Sequence, residues 1–472
     1  MVFVFIAISY NSVRGSQEGP DGNKRMGGYR ERVWMAVIYA SCSVLTKRYD
    51  FLVHGLTCSW DIKRSLNMKG TLLAATFTIA CSSFFSVAYS ATGQDTAKDL
   101  IGRYYSSPND CGRNTQPAFL CQGVIFRATV PSPFYDSWAP SPAAQKSGGT
   151  SFSYLREDSK FQKLVREENN GYILYPLLKL PAGKSRYQVL CSFPMDGGTD
   201  VRDEKGCGKS DQPNSQPCDK QGIYTGTAWA DRYKQFNGQN NNTKECGFDV
   251  RDALDQHAVK NFNASVDAMG KVGQAAFEKQ NELRIETWDP SRPAAEVPIQ
   301  AFFYLPTTGG LDDARYDQQR YFEKTAVRVP IVKMTLPETR RQDATFSYNE
   351  WDQAINAVGE PVYRYIKSTE WVSRFDPGTN RKEWSLAVTL TDEGKKQSDS
   401  HGSDKVYAEL LRKEGRDARW TKPANYEAQR NTMRRQLVCH FQIAENKEPW
   451  NLEPFRPYVT AREATQAGCN PL

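Results

Sequence analysis

The 472-residue chain is long enough for two or three domains, and 12% aromatic residues marks a folded chain rather than a disordered one. Lys and Arg outnumber Asp and Glu by 61 to 54, a mild basic excess without any Lys/Arg block. That balance gives no case for nucleic acid and leaves a small anionic ligand open.

Residues 68–90 read MKGTLLAATFTIACSSFFSVAYS. Met68 and Lys69 make a short positive start, Thr71 to Val87 is mostly apolar, and Ala88-Tyr89-Ser90 places small residues before a break at Ala91. This is the pattern of a secretory signal peptide, and it is too short and hydroxyl-rich for a membrane span. Residues 1–67 carry no motif and are expected to be an upstream extension, with translation beginning at Met68. Eleven cysteines become eight once Cys42, Cys58 and Cys81 are set aside with 1–90. An even set in an exported chain reads as a disulfide framework. Eight cysteines allow about 105 connectivities, and proximity alone favours Cys111–Cys121, Cys191–Cys207, Cys218–Cys246 and Cys439–Cys469. With no C-x-x-C pair, no metal site is expected.

The expected class is α+β: a disulfide-stapled N-terminal α+β domain (91–246), a small βαβ-containing domain (247–345) and a C-terminal α+β module (346–472). In the first, a short helix is expected at 95–105, strands at 123–128, 151–155, 171–180 and 187–193, a helix at 160–166, and a cysteine-stapled loop over 196–216. In the second, helices are expected at 249–260 and 264–277. They precede a strand at 298–304, a helix at 311–324 with acidic residues in its first turn, and a strand at 327–334. In the third, strands 363–375 and 382–390 form a hairpin around Asp376-Pro377-Gly378-Thr379-Asn380. Helices at 403–414 and 426–434 follow, and the apolar run 436–443 reads as a strand.

Both Gly-Lys-Ser triplets, at 183–185 and 208–210, lack the glycine a P-loop needs five residues earlier; Leu178 and Asp203 stand there. Neither a G-x-S-x-G elbow nor an H-E-x-x-H pair occurs. His257, His401 and His440 are the only histidines after residue 90, and His440, in an apolar run, reads as structural. Carboxylate-and-arginine chemistry remains. An apolar strand Val124-Ile125-Phe126 ends on Arg127, and Ser151-Phe152-Ser153 follows a Gly-Gly turn. A strand-end arginine followed by Ser-x-Ser resembles the front half of the pattern of one class of ADP-ribosyl-transferring toxins. Their cleavage of the nicotinamide–ribose bond needs a carboxylate against an oxocarbenium-like ribose, hydroxyls to orient it, and an arginine fork on the phosphates. Arg127 is the candidate NAD-binding residue. Ser151 and Ser153 are the candidate hydroxyls, and Glu204, in TDVRDEKGCG, is the candidate carboxylate.

The segments IGRYYSSPNDCG, PAFLCQGVIFRAT, SGGTSFSYLR, PIQAFFYLP and RRQLVCHFQIAENKEPWNLEPFRP resemble the halovibrins over about 100–472. Halovibrins are bacterial secreted proteins of an ADP-ribosyltransferase-like class that hydrolyse NAD. The resemblance implies a secreted NAD glycohydrolase, with ADP-ribosyl transfer as the related activity and a host or cell-surface protein as its partner. NAD would be substrate rather than resident cofactor, and no membrane association is expected after signal removal. A non-catalytic secreted binding protein and an exported carboxylate-based glycan hydrolase are the alternatives.

Overall fold

A computed structural model describes 92–107, 111, 115–129, 135–140, 149–164, 168–196, 207, 217–236, 246–252, 255–421 and 432–471, with short strand pieces at 40–41 and 59–60. The chain divides into two compact units, 1–86 and 87–472. In the first, Ala40–Ser41 pairs antiparallel with Ser59–Trp60. The expected leader at 68–90, the early cysteines and Glu204 lie outside the described residues.

The second unit is mixed α+β, as its composition of alternating and helical segments implies. Its main sheet has nine strands: β1 (Val124–Thr129), β2 (Thr150–Leu155), β3 (Asn170–Leu174), β4 (Gln188–Phe193), β5 (Phe248–Asp249), β6 (Glu282–Glu286), β7 (Ile299–Tyr304), β8 (Ile331–Thr335) and β9 (Thr345–Tyr348). Their order across the sheet is β9-β8-β7-β3-β1-β2-β6-β4-β5. Only β7 and β8 run parallel; the other pairs are antiparallel. The helix Gly310–Thr325 joins that parallel pair, which is the expected βαβ unit. Strands from 91–246 and from 247–345 alternate in one sheet, so the expected boundary at 246 cuts through a single core.

Alternation along β1 sorts the core. Phe126 packs with Ile173, Phe303 and Met334 under helix α1 (Gly93–Tyr104), which presents Leu100 and Tyr104 one turn apart. Ile125 packs on the other face with Tyr172, Phe302 and Phe262. There, helices α3 (Gln256–Val272) and α4 (Gly310–Thr325) cover the sheet, and α2 (Gly226–Phe236) packs on α3. α3 spans what sequence periodicity divides into two helices. The expected helix at 160–166 is irregular over its described part, 160–164. Its backbone serves tertiary contacts instead: Phe161 is buried, and the Gln162 N–H donates to the Phe277 carbonyl at 2.7 Å.

The C-terminal module is a three-stranded antiparallel sheet, β10 (Ile366–Asp376), β11 (Arg381–Leu390) and β12 (Trp450–Leu452). Helices α5 (Ser400–Glu414), α6 (Thr432–Ile443) and α7 (Ala461–Gln466) belong to the same module. The expected strand 436–443 is part of α6. Met433, Leu437 and Phe441 recur every fourth residue and pack on Trp450 and Leu386, so the short apolar run follows a helical period. All four expected disulfides form, with Cα–Cα separations of 5.7, 5.3, 5.0 and 5.5 Å. Among the described residues no helix is long and apolar enough to cross a membrane.

Candidate active site

Ser151 and Ser153 stand on β2, and the antiparallel register places Ser151 directly opposite Arg284 of β6. Two residues apart on one strand, Glu282 and Arg284 share that face. The Ser151 hydroxyl donates to Glu282 Oε1 at 2.5 Å, and Arg284 Nη1 donates to the Ser151 oxygen at 2.9 Å. The same guanidinium nitrogen lies 3.2 Å from Glu282 Oε1. Glu282 and Arg284 are 2% and 6% exposed. A carboxylate so deeply placed is strongly directional, because charge-assisted bonds in a low dielectric fix its orientation. Ser153 is buried on the same side of β2. Next to this cluster in the sheet, Cys191 of β4 pairs with Arg284 and is bonded to Cys207.

Arg127 occupies a different position from the one the sequence suggests. It stands opposite Tyr172, whose ring contacts Phe152, on the face away from the Ser151 hydroxyl. Its Nη1 nevertheless reaches the Ser151 carbonyl at 3.2 Å, at the end of the β1–β2 hairpin. The guanidinium beside the Ser151 hydroxyl belongs to Arg284. Neither Arg284 nor Glu282 was singled out by spacing. The signal was present in Glu282-Leu283-Arg284-Ile285-Glu286, a charged-apolar alternation that a half-buried strand requires.

β6 ends at a cleft of about 480 Å3 whose walls include Glu286, Arg186, Arg251, Phe119 and Tyr187. Glu286 is two residues along the strand from Arg284, so cleft and cluster share one strand. Arg251 is held by Asp249, and burial drives the Tyr187 phenol well above its ordinary range.

A second buried polar cluster lies on the opposite face. Asp313 and Asp317 stand one turn apart in α4. Burial pushes the Asp313 carboxyl up to about 7, and the neighbouring Asp312 adds to it. Burial likewise pushes Asp317 up to about 8. Arg127 and Asp317 act in opposite directions on the Tyr172 phenol, which burial raises. Among the described residues no three His, Cys, Asp or Glu side chains group as a metal cage. His440 is buried, with Nδ1 2.8 Å from the Gln436 carbonyl.

Comparison with known proteins reaches only part of the chain. An uncharacterized protein of Mycobacterium bovis is 43% identical over 61 residues, 12% of this chain and 41% of that protein. An uncharacterized protein of Mycobacterium tuberculosis matches to the same extent. The chain thus spans 41% of the length of these curated relatives. No solved structure matches. Residues 366–472, the C-terminal module from the first residue of β10 onward, match the model of a protein family of unknown function, DUF2599.

Proposed function

We propose that the chain is a secreted NAD glycohydrolase of the halovibrin kind, with Glu282 as its carboxylate. The observation that carries this reading is the 2.5 Å bond from the Ser151 hydroxyl to Glu282. It supplies an oriented carboxylate on the strand next to the Ser-x-Ser segment, the arrangement that nicotinamide–ribose cleavage calls for. Four disulfides and the absence of a membrane-length helix among the described residues support export.

In this reading NAD lies along β6, with its ribose at Glu282 at the start of the strand and the rest of the molecule toward the cleft that holds Glu286 and Arg186 at its end. Glu282 faces the ribose as the C1′–N bond lengthens and positive charge grows on the ring. Arg284 and Ser151 hold that carboxylate in place, so no reorientation is needed as charge develops. Nicotinamide departs with the bonding pair as a neutral ring. Water adds to C1′ and loses a proton, giving ADP-ribose. Arg127 carries five N–H donors, and its bond to the Ser151 carbonyl leaves most of the fork for a phosphate oxygen.

The test is nicotinamide release from NAD by the oxidised full chain, beside Glu282→Gln and Ser151→Ala variants matched by circular dichroism. Glu282→Gln should lower kcat by roughly 10²–10³-fold, the scale of removing one aimed electrostatic group. Ser151→Ala should lower it less. Folded protein that releases no nicotinamide refutes the reading, and full activity in Glu282→Gln removes Glu282 from the mechanism.

A further inference from the structure

α4 packs against β3 and β7 on the face of the sheet away from the Ser151 hydroxyl. Its Asp313 and Asp317 stand at i and i+4, hence on one side of the helix. Asp317 is 1% exposed and accepts a hydrogen bond from Asn170 Nδ2 at 3.2 Å. The cations of α4 pair with carboxylates other than Asp313 and Asp317, and Arg127, on the same face of the sheet, donates to the Ser151 carbonyl. Arg315 pairs with Asp312, while Arg320 and Lys324 both pair with Asp136. Among the described residues neither Asp313 nor Asp317 is in an ion pair.

Two neutral oxygens of the adjoining strands are also unsatisfied. Asn170 is 1% exposed, and its Oδ1 has no hydrogen-bond partner. Thr129 is 7% exposed, its Oγ1 has no partner, and it stands directly opposite Asn170 across β1 and β3. Buried polar atoms are almost always paired, so two orphans beside an unneutralised carboxylate need a common explanation. Carboxylates, an amide carbonyl and a hydroxyl are the ligands of hard cations, and no imidazole or thiolate is at hand to favour a softer metal.

We infer that Asp313, Asp317, Asn170 and Thr129 form a binding site for a hard divalent cation, calcium before magnesium. Two carboxylates match its charge, and the amide and hydroxyl oxygens complete a set of protein ligands. Calcium accepts such mixed, irregular oxygen sets, whereas magnesium keeps more of its water. The cation ties α4 to the ends of β1 and β3. This site is independent of the NAD reading and stands whether or not the chain is an enzyme.

The experiment uses the oxidised full chain freed of metal with a chelator. Calcium chloride and magnesium chloride are titrated while the unfolding temperature is followed. Terbium chloride is titrated separately, with emission sensitised through the nearby rings of Tyr172 and Trp138. Saturable calcium stabilisation, and terbium emission displaced by calcium, are expected. Asp317→Asn should weaken the apparent affinity more than about 10-fold, because it removes charge from the site. That variant keeps the side-chain shape and takes an ionisable group with no ion-pair partner out of the interior, so it folds. Thr129→Val, of equal shape, should weaken calcium binding while leaving the metal-free unfolding temperature unchanged or higher. No saturable response in the wild type overturns the site and leaves a protonated acid pair. An equal response in Asp317→Asn overturns it as well, by placing the cation elsewhere.

Discussion

In the C-terminal module, Glu409 accepts three backbone N–H groups, those of Arg364, Tyr365 and Ile366, at 2.8, 2.7 and 2.8 Å. Arg412 lies beside it and also donates to Gln319 Oε1 and the Val362 carbonyl. Arg456 is shared by Asp376 and Glu453, and Glu453 takes Arg374 as well. The large sheet buries charge differently. Glu282 accepts from the Ser151 hydroxyl and pairs with Arg284, and among the described residues neither Asp313 nor Asp317 is in an ion pair. Carboxylates well supplied with donors fix a chain path, here the entry into β10. Buried carboxyls outside any ion pair, such as Asp313 and Asp317, are where ligand chemistry is sought. In the proposed reading the module is structural and the sheet carries the chemistry.

The strongest way to break this contrast is Glu409→Ala. It leaves three backbone N–H groups without their acceptor and takes the carboxylate from beside the buried Arg412, and should cost about 3–5 kcal/mol, the scale for opening a buried ion pair. Urea unfolding read by tryptophan fluorescence measures it. A loss below about 1 kcal/mol, the net worth of one ordinary hydrogen bond, would mean that the network does not hold β10. A double-mutant cycle between Ser151→Ala and Glu282→Gln sharpens the other side. Contacting residues couple by about 0.5–3 kcal/mol, and coupling in kcat as well as in stability marks the pair as chemistry. Coupling in stability alone makes it one more structural bond.

A smaller effect of opposite sign separates the two classes of carboxylate directly. Asp317→Asn, in chelator-treated protein near neutral pH, should stabilise by about 1 kcal/mol because it removes a buried carboxyl that must take up a proton on folding. The same chemical change at Glu453, Glu453→Gln, should destabilise, since it leaves Arg456 and Arg374 short of charge. Two thermal unfolding curves decide this. Equal signs would erase the distinction between open and closed sites.

The sequence made some of this legible and hid the rest for identifiable reasons. The βαβ unit and the 366–390 hairpin are local, so hydrophobic period and turn residues suffice. The disulfides close short stretches of 10, 16, 28 and 30 residues, where proximity is a fair guide. Glu282 is 131 residues from Ser151, and only insertion of β6 between β2 and β4 joins them. A search near the Ser-x-Ser segment therefore stops at Glu204. Arg127 ends the right strand, but one residue of register decides the face, and alternation sends its side chain away from the Ser151 hydroxyl. The 436–443 run shows the complementary limit: five apolar residues among eight fit either period until Trp450 supplies the surface they pack on.

The smallest predicted effect tests whether the module is as free of titrating function as its closed networks imply. His440 stacks on Trp450 at 5.6 Å between ring centres and bonds the Gln436 carbonyl through Nδ1. Burial holds its pKa below the ordinary imidazole value of 6.5; Lys447 adds to that, and the Gln436 carbonyl opposes it. A histidine with a lowered folded pKa favours the folded state when neutral. Its contribution is complete above pH 6.5 and is lost as pH falls from there to the folded value, with no further loss below. Wild type should therefore lose stability between about pH 7.5 and about pH 5.5 relative to His440→Asn, which keeps a donor and cannot titrate in this range. The difference between the two unfolding temperatures isolates His440 from every carboxylate that titrates in both proteins. If that difference is constant across the range, the imidazole protonates without cost, and the packing of α6 on Trp450 is looser than the buried ring implies.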